Sequence, residues 1–227
     1  MLNIVKNTMI SNPLDLIMPH SCRGCDHVGS VLCECCKNYI IKNHINICPN
    51  CKNPTKNGRC KKCKNLPPIY SVGIREGLLD NLIHDFKYNS TRALGPKLAG
   101  LLDTSLPKKL KNITIVPLPT ATNHIRARGL DHTLLLAKHL AKIRKYRVAK
   151  ILVRSQNTVQ VGTDRKTRLF QADSAYEINK NITINPATTY LLLDDVWTTG
   201  ASMQTAIKKL RKSGAKNIIV ALLAISK

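Results

Sequence analysis

The stretch Tyr190-Leu-Leu-Leu-Asp194-Asp195-Val-Trp-Thr198-Thr199-Gly200-Ala-Ser202 constrains the fold of this chain more than any other. Four consecutive apolar residues mark a strand covered on both faces, as in parallel sheets with helical crossovers. Two carboxylates stand at its carboxyl end, where open α/β sheets bind their ligands. Residues 203–213 then read as a helix, with Ala206, Ile207 and Leu210 on one face. The turn between them offers hydroxyls and free backbone N–H groups at a helix N-terminus, which is a cradle for phosphate. The paired acids suit the vicinal hydroxyls of a sugar or a hydrated Mg²⁺.

This pattern resembles the signature of type I phosphoribosyltransferases, which hold 5-phosphoribosyl-1-pyrophosphate (PRPP). The resemblance implies that Asp194 and Asp195 take the ribose hydroxyls and are the catalytic candidates. It makes Thr198, Thr199, Gly200, Ala201 and Ser202 the 5′-phosphate loop. Trp197 departs from a pattern that prefers a smaller aliphatic residue there.

Eight of the nine cysteines fall into four C-x-x-C pairs before residue 64: Cys22/Cys25, Cys33/Cys36, Cys48/Cys51 and Cys60/Cys63. An odd count and an N-terminus (Met1 to Pro19) without the basic region and apolar run of a secretory signal argue against disulfides. The expected compartment is the cytoplasm. Two residues between cysteines let a tight turn aim both thiolates at one ion, and four thiolates complete a tetrahedron around Zn²⁺. Two structural zinc ions are therefore expected. Spacing alone leaves consecutive pairing (22/25/33/36 and 48/51/60/63) and an interleaved cross-brace both open. Structural zinc contributes roughly 10–16 kcal/mol to the folding of small domains, which a segment so poor in large apolar residues needs. Cys35 is the spare thiol.

The formal net charge is +23, which becomes about +19 when eight zinc-bound thiolates and two Zn²⁺ are counted. Such a balance points to a polyanionic partner, nucleic acid first. The densest clusters are Lys108-Lys109-Leu-Lys111, Arg144-Lys145-Tyr-Arg147 and Lys208-Lys209-Leu-Arg211-Lys212. Each also fits a solvated helix face. Aromatic residues make up 4% of the chain, so phosphate contact rather than base stacking would be the main binding term. No run of apolar residues is long enough for a transmembrane helix, and no membrane span is expected.

Organisation follows from punctuation and period. Residues 1–19 read as a short helical lead-in, residues 20–67 as a loop-rich metal module, and Pro67-Pro68 as the boundary. The expected domains are thus 1–67 and 68–227. In the second, strands are expected at 69–74, 113–116, 150–153, 178–184 and 217–223, besides the strand at 190. Helical spacing recurs over 78–88, 94–102 and 134–143. Residues 154–175 lack a period and read as a functional loop. Strands alternating with helices imply an α/β fold with a mostly parallel sheet flanked by helices, plus a small N-terminal zinc module.

In this order the whole chain resembles the ComF (ComFC/GntX-type) competence family. The motifs are Asp15-Leu-Ile-Met-Pro-His-Ser-Cys22-Arg-Gly-Cys25, Lys87-Tyr88, Val116-Pro-Leu-Pro119 followed by Arg126 and Arg128-Gly129, and a loop carrying Arg154, Thr158, Gln160, Arg168 and Ala175-Tyr176. Where the family continues with Phe-Asn-Gln, this chain has Leu130-Asp131-His132, and Gln171 replaces an Asn. The resemblance implies a phosphoribosyltransferase-like domain behind a double zinc ribbon, acting in DNA uptake during natural transformation.

Arg126 and Arg128 lie near enough to the Pro-x-Pro turn to reach pyrophosphate, for which a guanidinium fork is suited. Arg154, Arg165, Lys166 and Arg168 would either close over the ligand or touch a phosphodiester backbone. His124 and His132 are acid or base candidates. Three functions are consistent with these residues. The first is a ComF-like protein that binds a PRPP-type ligand with Mg²⁺ and single-stranded DNA. The second is an active phosphoribosyltransferase acting on a nucleobase or other acceptor. The third is an adaptor whose zinc ribbons dock a DNA-uptake helicase or recombination mediator.

Overall fold

The computed structural model describes residues 20–89, 92–155 and 176–227. The elements in chain order are α1 (Glu34–Lys42), β1 (Ile69–Ile74), α2 (Gly77–Tyr88), α3 (Leu94–Ser105), β2 (Ile113–Pro117), α4 (Thr122–Arg128), α5 (His132–Arg144), β3 (Arg147–Val148), β4 (Leu152–Arg154), β5 (Tyr176–Ile178), β6 (Thr189–Trp197), α6 (Ala201–Lys212) and β7 (Asn217–Ile225). Five strands form one sheet in the order β1-β7-β6-β2-β3, with every neighbouring pair parallel. Each parallel step needs a crossover, and the helices supply it.

Strand β6 lies at the centre, and its residues alternate between two cores as the strand period demands. Leu191 and Leu193 join one core with Leu82, Phe86, Leu98 and Leu140. Tyr190 and Leu192 join the other with Met203, Ile207 and Leu210. The run that looks uniformly apolar in sequence is thus a strand buried on both sides.

Local chemistry sets the ends of the helices that frame the site. Gly129 closes α4 in the left-handed region (φ +68°). Asp131 then caps α5, its carboxylate accepting from the Leu134 N–H at 3.1 Å. Arg144, in the last turn of α5, pairs with Asp103 and donates to the carbonyls of Pro107 (2.7 Å) and Asp103 (2.9 Å). This arginine locks α5 onto the end of α3, so its charge is spent on structure.

The fold class read from sequence stands, with local differences. The strand expected at 150–153 is β4, which lies outside the main sheet and pairs antiparallel with β5, whereas the strand beside β2 is β3, at Arg147–Val148, ahead of the expected segment. The strand expected at 178–184 stops at Ile178, because Asn179 turns the chain. Its carbonyl accepts from the Ile182 N–H at 2.9 Å and its side chain from the Asn181 N–H at 3.1 Å. The metal module contains α1, capped by the Cys33 sulfur, which the loop reading missed. The lead-in at 1–19 and most of the loop at 154–175 lie outside the described residues.

Buried side chains cross the Pro67-Pro68 position. Cys22, Val31, Leu32, Cys36 and Ile40 share a core with Leu79 and Leu82 of α2, and Arg23 pairs with Asp85 at 3.1 Å. The second half of the module, through Ile47 and Leu66, packs on the opposite core.

Candidate functional site

A cavity of about 310 Å³ opens at the carboxyl end of β6. Asp194, Asp195 and the turn from Thr198 to Ser202 form its floor; Lys87, Arg128 and Arg154 stand around it. The turn is built for close backbone approach. Gly200 has φ +78°, and a Cβ placed on it would lie 2.3 Å from the Trp197 ring. Trp197 is 2% exposed, so it cannot yield, and only glycine fits. The residue that departs from the family pattern therefore packs directly beneath the loop. Thr198, Thr199, Ala201 and Ser202 are exposed, and α6 begins at Ala201, whose N–H donates to the Thr199 hydroxyl at 3.4 Å; Ala201 and Ser202, in its first turn, line the cavity.

The acids are electrostatically unequal. Asp195 pairs with Lys87 Nζ at 2.9 Å, and both side chains are largely buried. Asp194 is pushed up to about 8, by burial first and by the Asp195 carboxylate second. Its Oδ1 accepts from the Asp195 N–H at 2.9 Å, which opposes the rise without cancelling it. The neutral form is thus favoured near neutral pH. A ligand that brings a cation or hydroxyl donors there would draw out the anion.

Of the residues singled out in sequence, the structure brings Asp194, Asp195, Thr198, Thr199, Gly200, Ala201, Ser202 and Arg128 into one cavity. Arg126 is exposed on α4 and does not line it. Arg154, assigned to a DNA-contacting loop, lines this cavity too, its Nε donating to the Pro119 carbonyl at 3.2 Å. Arg165, Lys166 and Arg168 lie outside the described residues.

Three residues at the site stand out in the sequence only as a motif (Lys87-Tyr88) or as an acid–base candidate (His132). Lys87-Tyr88 ends α2 at the cavity: Lys87 holds Asp195, and the Tyr88 ring lies 4.7 Å below the Arg128 guanidinium, whose Nη2 donates to the Tyr88 hydroxyl at 3.2 Å. His132 lines the cavity at 2% exposure, edge-on to Phe86 at 5.0 Å, with neither ring nitrogen bonded among the described residues. Burial first, then the Arg128 charge, lowers its pKa and keeps it neutral.

The cysteines gather as Cys22/Cys25/Cys33/Cys36 and Cys48/Cys51/Cys60/Cys63, the ligand atoms of each group lying within 4.8 Å of one another. Pairing is therefore consecutive, and the interleaved alternative falls. The Cys25–Cys33 sulfurs are 3.6 Å apart and the Cys51–Cys60 sulfurs 3.5 Å. A disulfide needs about 2.05 Å. A Zn–S bond of about 2.3 Å implies tetrahedral edges of about 3.8 Å, which these separations approach. Backbone N–H groups point at the sulfurs, from Cys33 to Cys22 (3.4 Å) and from Cys63 to Cys60 (3.4 Å). Without metal the thiols are mismatched. Burial raises Cys22 but N–H groups of Cys33, Gly24 and Cys25 bring it down to about 6, while burial and its sulfur neighbours push Cys36 up. Four thiolates coexist at such spacing only around a cation, and both sets fit zinc. Cys35 stands apart and exposed.

The chain is 24% identical over 196 residues to competence protein ComFC of Streptococcus pneumoniae (strain ATCC BAA-255 / R6), a match covering 83% of this chain and 85% of the relative. The chain is thus similar to ComFC along most of the length of both. No protein-family model matches it. Among solved structures it is similar to the glutamine PRPP amidotransferase of B. subtilis complexed with ADP and GMP (13% identity, TM-score 0.42, 61% of this chain and 30% of that one). It is also similar to UMP synthase of Leishmania donovani (16% identity, TM-score 0.36, 65% and 29%). The chain spans under a third of either enzyme. The fold described here rests on the strand order, not on those likenesses. Among the described residues no helix is long and apolar enough to cross a membrane.

Proposed function

We propose that this competence-protein homologue handles incoming single-stranded DNA, and that the cavity at the end of β6 binds a phosphorylated sugar of the PRPP type with Mg²⁺. One observation carries the sugar-phosphate reading: a carboxylate pair and an exposed Thr-Thr-Gly-Ala-Ser turn at a helix N-terminus share one cavity with three basic side chains. The turn would take the 5′-phosphate, and the acids the ribose hydroxyls. Arg128, steadied by Tyr88, would take the diphosphate end. Magnesium carried by the diphosphate would stabilise Asp194 as an anion, which burial and the Asp195 carboxylate disfavour. The net charge of +23 and the ComFC relationship support the DNA reading. A role beside a DNA-uptake helicase or recombination mediator belongs to the same reading, as does residence in the cytoplasm.

The test is fluorescence anisotropy of a labelled single-stranded oligonucleotide across a salt series, with and without Mg·PRPP. Binding should weaken with salt by about 0.7 in logarithmic slope per neutralised phosphate. No binding at low salt would sink the DNA reading. Calorimetric titration with Mg·PRPP should give a heat that Asp195→Asn abolishes.

The intact acid pair also supports a second reading, an active phosphoribosyltransferase. Its transition state is a cationic sugar with departing pyrophosphate, so fixed charges would supply most of the help. Pyrophosphate release from Mg·PRPP with a nucleobase panel would favour it, and silence across the panel would count against it.

A further inference from the structure

Two long stretches of the chain contain no acidic residue: from Cys35 to Arg75, and from Val196 to Lys227. The fold brings them together. Where the Cys48–Cys63 half of the metal module meets the end of α6 and the start of β7, Arg59, Lys64, Arg211 and Lys216 line a cavity of about 320 Å³ floored by Pro67, Pro68 and Ile218. All four basic residues are exposed, no carboxylate lines the cavity, and none of the four pairs with a carboxylate among the described residues. Lys61, Lys62 and Lys212 are exposed nearby in sequence. A zinc-filled Cys48–Cys63 site carries −2, against the six cations Lys52, Lys56, Arg59, Lys61, Lys62 and Lys64 of its loops, so the half-module stays strongly positive.

This cavity lies at the opposite end of the sheet from the sugar-phosphate site. Thr189 and Asn217, which open β6 and β7, line it, whereas Asp194 and Asp195 stand near the far end of β6. Five to six steps of strand at about 3.3 Å each put Asp194 and Asp195 roughly 17–20 Å from Thr189.

We propose that this basic cavity is a seat for the phosphodiester backbone of a single nucleic-acid strand, separate from the sugar-phosphate site. The inference rests on the DNA-handling reading and gives it a place. Like charges gathered without counter-charge repel one another, so the arrangement is stabilised when a polyanion fills it. A concave pocket of this size admits a sugar-phosphate unit from a flexible strand, which a stiff duplex backbone cannot bend inward to supply. No exposed aromatic ring lines it, which suits backbone contact over base stacking. Arg211 also donates to the Asn65 carbonyl at 3.1 Å, tying the module to α6 and fixing the cavity's width.

The experiment compares the full-length zinc-loaded protein with two triple variants of equal charge loss. One is Arg59→Gln/Lys64→Gln/Lys216→Gln. The control, Lys108→Gln/Lys138→Gln/Lys142→Gln, changes exposed lysines elsewhere. Arg211 is left in place to preserve the seam. The probes are labelled oligothymidylate and a duplex of the same length, by anisotropy over a salt series, with Mg·PRPP binding and zinc content measured alongside. The cavity variant should lose at least tenfold in single-strand affinity, and its salt slope should fall by about 2, at about 0.7 per lost contact. The control should change little, and both should keep zinc and Mg·PRPP binding. Equal losses in the two variants would reduce the effect to net charge and overturn the site. Unchanged binding by the cavity variant would overturn it too, as would a duplex bound as tightly as the single strand. If wild type binds no oligonucleotide but captures anionic phospholipid vesicles, the face belongs to a membrane surface and the DNA reading falls with it.

Discussion

The Lys87 ammonium lies 2.9 Å from the Asp195 carboxylate, at the junction of α2 and β6, with each side chain about 15% exposed. It is bonded to one member of an adjacent pair of acids, and it comes from a helix about a hundred residues earlier in the chain. Its removal leaves the pair uncompensated. Lys87→Met should lower stability by about 2–3 kcal/mol at pH 8, less than the roughly 3–5 kcal/mol of a fully buried pair because some water reaches the site. The loss should be smaller at pH 6, where Asp194, with its folded pKa near 8, is protonated and one carboxylate charge is gone. Urea denaturation at the two pH values measures both effects. A pH-independent loss would mean that Lys87 matters by packing alone.

Asp194 gives a pH dependence of definite sign. Its folded pKa, near 8, lies above the unfolded value, so the folded state binds the extra proton at neutral pH. Stability from this group is present at low pH and is lost as pH rises through the folded value. Asp194→Asn removes the titration. The variant should gain on the wild type progressively from about pH 4 to about pH 8, by on the order of 1 kcal/mol per pH unit, with little difference below pH 4. Thermal melts of both proteins across this range check it. The gap should close when Mg·PRPP is added, because binding favours the anion.

Much of this was legible in the sequence, for physical reasons. Tyr190 to Leu193 announce a doubly covered strand because apolar continuity has few other causes. The cysteine spacing announces metal because geometry demands it. The cysteine pairing was not legible: four C-x-x-C units close either way until the chain's path is known. Nor was β3 at Arg147–Val148, or the exclusion of β4 from the main sheet. Both segments are short and β-prone, and only the place of β3 beside β2 decides which joins the sheet. Helix α4 was hidden by its shortness and by having no buried residue. Arg154 reads as a loop cation, yet its place beside Asp194 follows from the β4–β5 ribbon, whose second strand begins 22 residues after Arg154 in the chain. The Lys87–Asp195 contact is of the same long-range kind.

Gly200 and Trp197 make a steric test of the phosphate turn. Gly200→Ala places a methyl group 2.3 Å from ring atoms and asks alanine for φ +78°. The two costs separate. Trp197→Leu combined with Gly200→Ala should recover the clash but not the left-handed backbone cost, about 1 kcal/mol. Melting temperatures should therefore rank wild type first, with the double variant above Gly200→Ala. Mg·PRPP binding should be lost in Gly200→Ala, since the turn's N–H groups are displaced. A double variant no better than Gly200→Ala would show that backbone strain, not the ring, enforces glycine.

The two zinc sets should differ in what their loss costs. Metal analysis should find two zinc ions per chain, and Cys25→Ser or Cys60→Ser should each leave one. Cys22 and Cys36 share a buried cluster with Leu79, Leu82 and Phe86 of α2, the helix that delivers Lys87 to Asp195. Losing the first ion therefore loosens the cavity wall. The second set packs through Ile47 and Leu66 on the face covered by α6, away from Lys87. Cys25→Ser should weaken Mg·PRPP binding as well as stability, whereas Cys60→Ser should lower stability and spare the cavity. Calorimetric titration of both variants, with hydrogen exchange of α2 as the readout of loosening, decides this. Equal effects on the ligand would mean that the two halves of the module unfold together.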